Sequence, residues 1–275
     1  MRGLVLGGGG LTGIAWQTGL LHGLAEAGID VPGRADHVIG TSAGSTVAAQ
    51  LAGGLPLAEL YRRQTDPGLQ NHEITPPFEA LGTVIATLNQ LLDEVTDRTE
   101  LRRRLCALAL AADTVPAADR HAVIAGRLPR HDWPSWPLTL VAVDVDTAEP
   151  RYFDRDSGIP LVDAVAASCA VPGIWPVVEI EGHRYTDGGV RSSNNADLMT
   201  GQQAVLILSP MPDQFTEPEI VELEKTARVL ALTPDDDSRA AFGANPLDPA
   251  VRTPAAEAGR AQAARVADQV RDLWA

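Results

Sequence analysis

Only two cysteines occur among the 275 residues, Cys106 and Cys169, far apart and without a CxxC or Cys/His spacing. That excludes a disulfide framework and offers no zinc-ligand set, so a reducing cytoplasmic setting and a site without metal are expected. No run of about 18 apolar residues is present to span a bilayer. Met1-Arg2 leads straight into a short apolar run and glycines rather than the longer apolar core of a secretory signal, so no export is expected. Positive charge is also scarce, with 22 Lys and Arg against 36 Asp and Glu and a formal net charge of −14. Nucleic acid and anionic membranes carry the same sign, which excludes both as electrostatic partners and limits any membrane contact to a peripheral, apolar one.

Apolar residues make up 45% of the chain and charged residues 21%, the balance of a globular domain rather than a disordered or membrane-embedded one. At this length a sizeable core fits in one domain, so residues 1–275 are read as a single unit. Gly3-Leu4-Val5-Leu6 is a short apolar run ending in Gly7 to Gly10, and Gly13 to Ala27 then carries apolar residues at helical spacing until Gly28. The pattern recurs with His37-Val38-Ile39, a sharp turn at Gly40 to Gly44, and a small-residue helix from Ser45 to about Ala52. Two strand-turn-helix units so close together predict an α/β sheet with helices on both faces.

Leu57 to Ala112 reads as mainly helical, with breaks at Pro67-Gly68 and Pro76-Pro77. Phe78, Leu81, Ile85, Leu88 and Leu92 share one helical face, which suits the core side of a helix, the commoner use, or one wall of an acyl-binding cleft. Leu138 to Val143 and Arg151 to Phe153 form a predicted hairpin, Leu161 to Ser168 a helix, and Val177 to Ile180 with His183 to Thr186 a second hairpin. Ala204 to Leu208 is the last strand expected, followed by a helix from Glu217 to Leu232. Thr233 to Pro254, rich in Asp, Pro and Gly, reads as a long loop serving as a lid, a binding loop or a mobile linker. A final helix, Ala255 to Trp274, aligns Ala263, Val266, Ala267, Val270 and Trp274 for docking on the body or on a second copy, which leaves a homo-oligomer open.

Three glycine-flanked elements carry the chemistry. Gly40-Thr41-Ser42-Ala43-Gly44 is a GxSxG set between a predicted strand and a predicted helix, the setting in which that pattern forms a nucleophile elbow. A Cβ at either flanking glycine would block the tight crossing of strand and helix. Gly8-Gly9-Gly10-Leu11-Thr12-Gly13 follows the first strand and matches GxGxxG, a pattern that alone suits a dinucleotide turn, with Asp30 near the place of a ribose-binding carboxylate. The same geometry presents unpaired backbone N–H groups and the positive end of a helix dipole, which suits an oxyanion equally well. Asp187-Gly188-Gly189 follows a short strand; by itself it is a common turn, but with the other two it adds a carboxylate at a strand end.

In this order and spacing, GGGGLTG, GTSAG and DGG resemble the patatin-like phospholipase family, over roughly residues 3 to 210. Ala167-Ser168-Cys169-Ala170-Val171-Pro172-Gly173 and Trp175-Pro176-Val177-Val178 also look like the family's segment before its DGG. The resemblance implies a three-layer α/β/α domain and a Ser-Asp dyad with Ser42 as nucleophile and Asp187 as base. It implies Gly8, Gly9 and Gly10 lining the oxyanion hole, Gly13, Gly40, Gly44, Gly188 and Gly189 as motif glycines, and no cofactor. Lipid acyl esters, cleaved without a metal, are the substrates it implies. The chain departs from the family at Thr12, where an Arg or Lys is common; backbone N–H groups and the Thr12 hydroxyl are then the donors left to the oxyanion.

Physically, a dyad asks Asp187 to take the Ser42 proton directly, which requires burial to raise its basicity above that of a solvated carboxylate. Two other arrangements share these residues. A triad in the order Ser42, Asp144 or Asp154, then His183 is formally available, although Ser42 comes early for that fold and His183 suits an ordinary strand edge. An acyltransferase would pass the acyl group to an alcohol or thiol; a nucleotide-binding protein would use the first glycine turn alone and leave GTSAG and DGG unexplained.

Overall fold

Leu4, Val5 and Leu6 are all apolar, and a strand without polar alternation needs cover on both faces. The computed structural model describes residues 1–76 and 78–275, the side chains of 78–80 excepted. It places this run as β1 (Arg2–Leu6) in the middle of an eight-stranded mixed sheet. The others are β2 (His37–Thr41), β3 (Leu138–Asp144), β4 (Pro150–Phe153), β5 (Val178–Ile180), β6 (His183–Asp187), β7 (Ala204–Leu208) and β8 (Arg228–Leu232). The order is β5-β6-β3-β2-β1-β7-β8, with β4 pairing β3. Strands β3, β2, β1, β7 and β8 run parallel to their neighbours, and β4, β5 and β6 add antiparallel pairs.

Alternation along the strands builds the layers. Leu4, Leu6, Leu140, Leu206 and Leu208 share one core with α1 (Gly10–Glu26), α2 (Ala43–Ala52), α7 (Leu161–Ser168) and α10 (Arg252–Trp274). Val5, Ile39, Val141, Val205 and Ile207 face the other way, onto Met199 and Leu223 of α8 (Thr216–Glu224). The fold is thus the expected three-layer α/β/α sandwich. The helices α3 (Leu57–Thr65), α4 (Phe78–Glu94), α5 (Arg98–Ala111) and α6 (Ala117–Arg127) come between β2 and β3, and α9 (Asp236–Phe242) precedes α10. Among the described residues, no helix is long and apolar enough to cross a membrane.

The last helix docks on the body of its own chain. Helix α10 lies against α1 so closely that a Cβ on Gly19 would come 2.0 Å from the Ala256 carbonyl oxygen, and one on Gly259 would come 2.3 Å from that of Trp16. Two expectations for the C-terminal quarter are corrected. The helix expected over Glu217 to Leu232 ends at Glu224, and its second half is β8, because Val229, Leu230 and Ala231 extend the sheet beside β7. The loop expected over Thr233 to Pro254 holds α9, a 3-10 turn at Pro249–Val251 and the start of α10. Its aspartates, which mimic loop composition, are caps: the Asp235 and Asp248 side chains accept from Ser238 N and Ala250 N.

Candidate active site

Ser42 stands between β2 and α2 at φ 53°, ψ −117°, a left-handed conformation that few side-chain-bearing residues adopt. Surrounding bonds hold it there. Its N–H donates to Ser168 Oγ at 3.0 Å, and its carbonyl accepts from Ser45 N, Ser45 Oγ and Cys169 Sγ. The crossing leaves no room for side chains: a Cβ on Gly44 would sit 1.8 Å from Leu6 O, and one on Gly40 2.7 Å from Ser45 Cα.

Strand register brings the carboxylate to the serine. Consecutive residues of β3, Val141 and Ala142, pair with Thr41 and Asp187, the ends of β2 and β6. Asp187 N donates to Ala170 O at 3.0 Å, so the segment that holds Ser42 through Ser168 and Cys169 also holds the base. Gly188 must be glycine, since its Cβ would meet Val141 O at 2.3 Å. The Asp187 carboxylate is buried; Oδ1 accepts from Gly189 N at 2.7 Å, and Oδ2 has no hydrogen-bond partner among the described residues. Burial pushes its pKa up to about 7, against the opposing pull of the nearby Ser42 hydroxyl, the Gly189 N–H and Arg120. The Ser42 hydroxyl thus lies close enough to Asp187 to act on its carboxyl, and Ser42 and Asp187 line the same cleft.

In the glycine loop the N–H groups divide. Gly7 and Gly8 donate to Leu208 O and Ser193 O, and Leu11 and Thr12 both donate to Pro246 O, at 2.8 and 3.2 Å. Of the three glycines assigned to an oxyanion hole, Gly8 lies where an added Cβ would be 3.5 Å from Ser42 Cβ but its N–H is engaged, while the Gly9 and Gly10 N–H groups have no acceptor among the described residues and line the same cleft as Ser42. Thr12 is fully buried and its hydroxyl donates to Gly9 O at 2.8 Å, so it steadies the loop and gives nothing to an oxyanion.

A cleft of about 460 Å³ opens from Gly8, Gly9, Gly10, Ser42 and Asp187. One wall is the α4 stripe of Leu81, Ile85, Leu88 and Leu92, facing Leu101 and Leu105 of α5; Phe78 lies outside the described side chains. The stripe that suited a core or a cleft serves the cleft along most of its length. Ala244, Pro246 and Leu247, from the expected C-terminal loop, close another side.

Among the described residues, no histidine lines either cavity containing Ser42. His183 does pair with Asp144, at 3.2 Å, but on the exposed start of β6, four residues or roughly 13 Å along the strand from Asp187. Asp30 accepts from Gly33 N in its own turn rather than facing the glycine loop. Asn195 was not legible beforehand: in left-handed conformation, its Nδ2 donates to Thr41 Oγ1 and to the Ser192 and Gly188 carbonyls, bracketing nucleophile and base together. The Ser192-Ser193-Asn194-Asn195 run, two residues after DGG, was the available signal.

The family model described as patatin-like phospholipase matches residues 4–200. The chain belongs to that family. Comparison with curated protein sequences gives no match. Among solved structures, it is similar to VipD from Legionella pneumophila, at 15% identity and TM-score 0.49, covering 98% of this chain and 67% of that one. It is also similar to the type III effector protein ExoU, at 18% identity and TM-score 0.44, covering 97% of this chain and 52% of the other. A complex of full-length SpcU with full-length ExoU from Pseudomonas aeruginosa matches at 16% identity and TM-score 0.42, covering 100% and 53%. This patatin-like chain thus spans about half the length of the two ExoU chains.

Proposed function

We propose that this chain hydrolyses carboxylic esters of lipids through an acyl-enzyme on Ser42, with Asp187 as its base. The observation that carries the reading is the meeting, in one apolar cleft, of a strained serine and a buried carboxylate one of whose oxygens has no partner among the described residues. Ser42 Oγ attacks the ester carbonyl while its proton passes to Asp187 Oδ2. The carbonyl electron pair moves onto oxygen, where the Gly9 and Gly10 N–H groups at the head of α1 receive it. Collapse expels the alcohol, which takes the proton from Asp187. The same carboxylate then takes a proton from water, whose oxygen attacks the acyl carbon, and returns it to Ser42 Oγ as the acyl–oxygen bond breaks and the fatty acid leaves. A carboxylate with a pKa near 7 is far better matched to this transfer than a solvated one.

Labelling with a fluorophosphonate probe tests the proposal. Wild type should be labelled and should hydrolyse p-nitrophenyl esters, with long acyl chains preferred. A folded Ser42→Ala protein should do neither; turnover retained in that variant would end the reading.

A further inference from the structure

Arg120 lies on the buried face of α6 with Val123, Ile124 and Arg127, and only 7% of it is exposed. Its guanidinium stacks on the Trp175 ring at 3.8 Å, and its buried Nε and Nη1 have no hydrogen-bond partner among the described residues. An unpaired charge in such a place is strongly destabilising, typically more than a missing neutral bond. The neighbouring arginines are served: Arg127 forks onto both oxygens of Glu73 at 3.1 and 2.6 Å, and Arg252 lies 3.7 Å from the same carboxylate. One ionised carboxylate therefore answers three buried guanidiniums. The other acid within electrostatic reach, Asp187, is only partly charged near neutrality.

Arg120 also shares a second, small cavity with the nucleophile. About 20 Å³ in volume, it is walled by Gly10, Ser42, Ala43, Arg120, Cys169 and Trp175 among others. That is room for one water-sized group and too little for a phosphate. We infer that this cavity takes one oxygen of the acyl group and that Arg120 is the cation that balances it, making Arg120 a further catalytic residue. The charge arises when Ser42 attacks and the carbonyl electron pair moves onto oxygen; after hydrolysis the same place holds one oxygen of the carboxylate product. The inference rests on the acyl-ester reading above. It also accounts for Thr12: the cation absent from the glycine loop enters from α6, a different part of the chain.

The experiment compares wild type with Arg120→Leu and Arg120→Lys in three measurements. On a short neutral p-nitrophenyl ester, Arg120→Leu should lower kcat about 100-fold with KM changed less than about 3-fold, and Arg120→Lys should recover part of the loss. Hexanoate binding, followed by tryptophan fluorescence with Trp175→Phe identifying the signal, should weaken at least about 10-fold in Arg120→Leu. Thermal unfolding of Arg120→Leu should occur at the same or a higher temperature, because an unpaired buried charge is removed, whereas an arginine with a structural role would lower it. If Arg120→Leu does not fold, Arg120→Gln takes its place. Unchanged kcat and unchanged hexanoate binding in the folded variant overturn the inference. Failure of the underlying reading looks different: wild type would resist the fluorophosphonate and cleave no ester, and the role of Arg120 would fall with it.

Discussion

The two spaces that meet at Ser42 differ in almost every physical respect. One is a wide cleft of about 460 Å³ walled by leucines and isoleucines from two successive helices. The other is a cavity of about 20 Å³ edged by backbone, a thiol and a stacked guanidinium. The first gains affinity from area, roughly in proportion to the chain length it covers, and tolerates variation in shape. The second gains its effect from charge placement, and a change of a single donor alters rate and the binding of an anionic product more than the binding of a neutral substrate. On the proposed reading, substrate selection belongs to the wide space and chemistry to the narrow one, and substitutions should separate them.

The sharpest break is Asp187→Asn, which keeps the shape of both spaces and removes the base; kcat should fall about 10⁴-fold or more, comparable to loss of Ser42, since the two act as a unit. The same group sets the pH response. Asp187 accepts a proton only when ionised, and its pKa of about 7 places the acid limb of kcat/KM there, with activity rising through neutrality to a plateau above it. For stability the sign is opposite. A carboxyl whose folded pKa lies above its unfolded value binds more protons in the native state, so wild-type stability falls as pH rises from about 4 to about 7. Asp187→Asn should accordingly unfold at higher temperature than wild type at pH 8, and at a similar temperature at pH 4. An acid limb near the ordinary range of aspartate would separate Asp187 from the base.

A smaller effect, confined to the wide side, is expected of Leu88→Asp. Placing a charge on the cleft wall should reduce kcat/KM for a long-chain ester about 10- to 100-fold while a short ester changes less than about 3-fold. Equal loss on both esters would mean that the α4 stripe supports the catalytic centre rather than the acyl chain. The smallest effects concern positions that touch neither space. Thr12→Val removes one buried hydrogen bond to Gly9 O, whose other donor, Gly13 N, remains; it should cost about 1 kcal/mol of stability and leave kcat within a few-fold. His183→Ala should leave kcat unchanged, and a large loss there would restore the triad.

What could be read from the sequence follows from where each requirement leaves a local mark. Strands buried on both faces need uninterrupted apolar residues, and Leu4-Val5-Leu6 and Ala204 to Leu208 declare themselves that way. Backbone crossings with less than 3 Å to spare need glycine, so Gly40, Gly44 and Gly188 are legible in the sequence. The elements that escaped are those whose mark resembles something else. Strand β8 continues an apolar pattern begun in α8, and the capping aspartates 235 and 248 look like loop composition. Helix α6 hides because Arg120 and Arg127 occupy its buried stripe, where periodicity arguments look for apolar residues. The absence of a basic residue at position 12 was visible, but the replacement stands 108 residues further on and is joined to the site only by packing.

The carbonyl of Pro246 receives two N–H groups from the first turn of α1 and stands against Gly10, where a Cβ would come within 2.7 Å of it. During synthesis this contact can form only late. The glycine loop, Ser42 and Asp187 have all been translated by residue 187, yet until Pro246 follows, the Leu11 and Thr12 donors are uncapped and one side of the cleft lacks its wall. On the proposed reading, a nascent polypeptide would thus hold Ser42 and Asp187 before the segment leading into α10 could cap the loop made first.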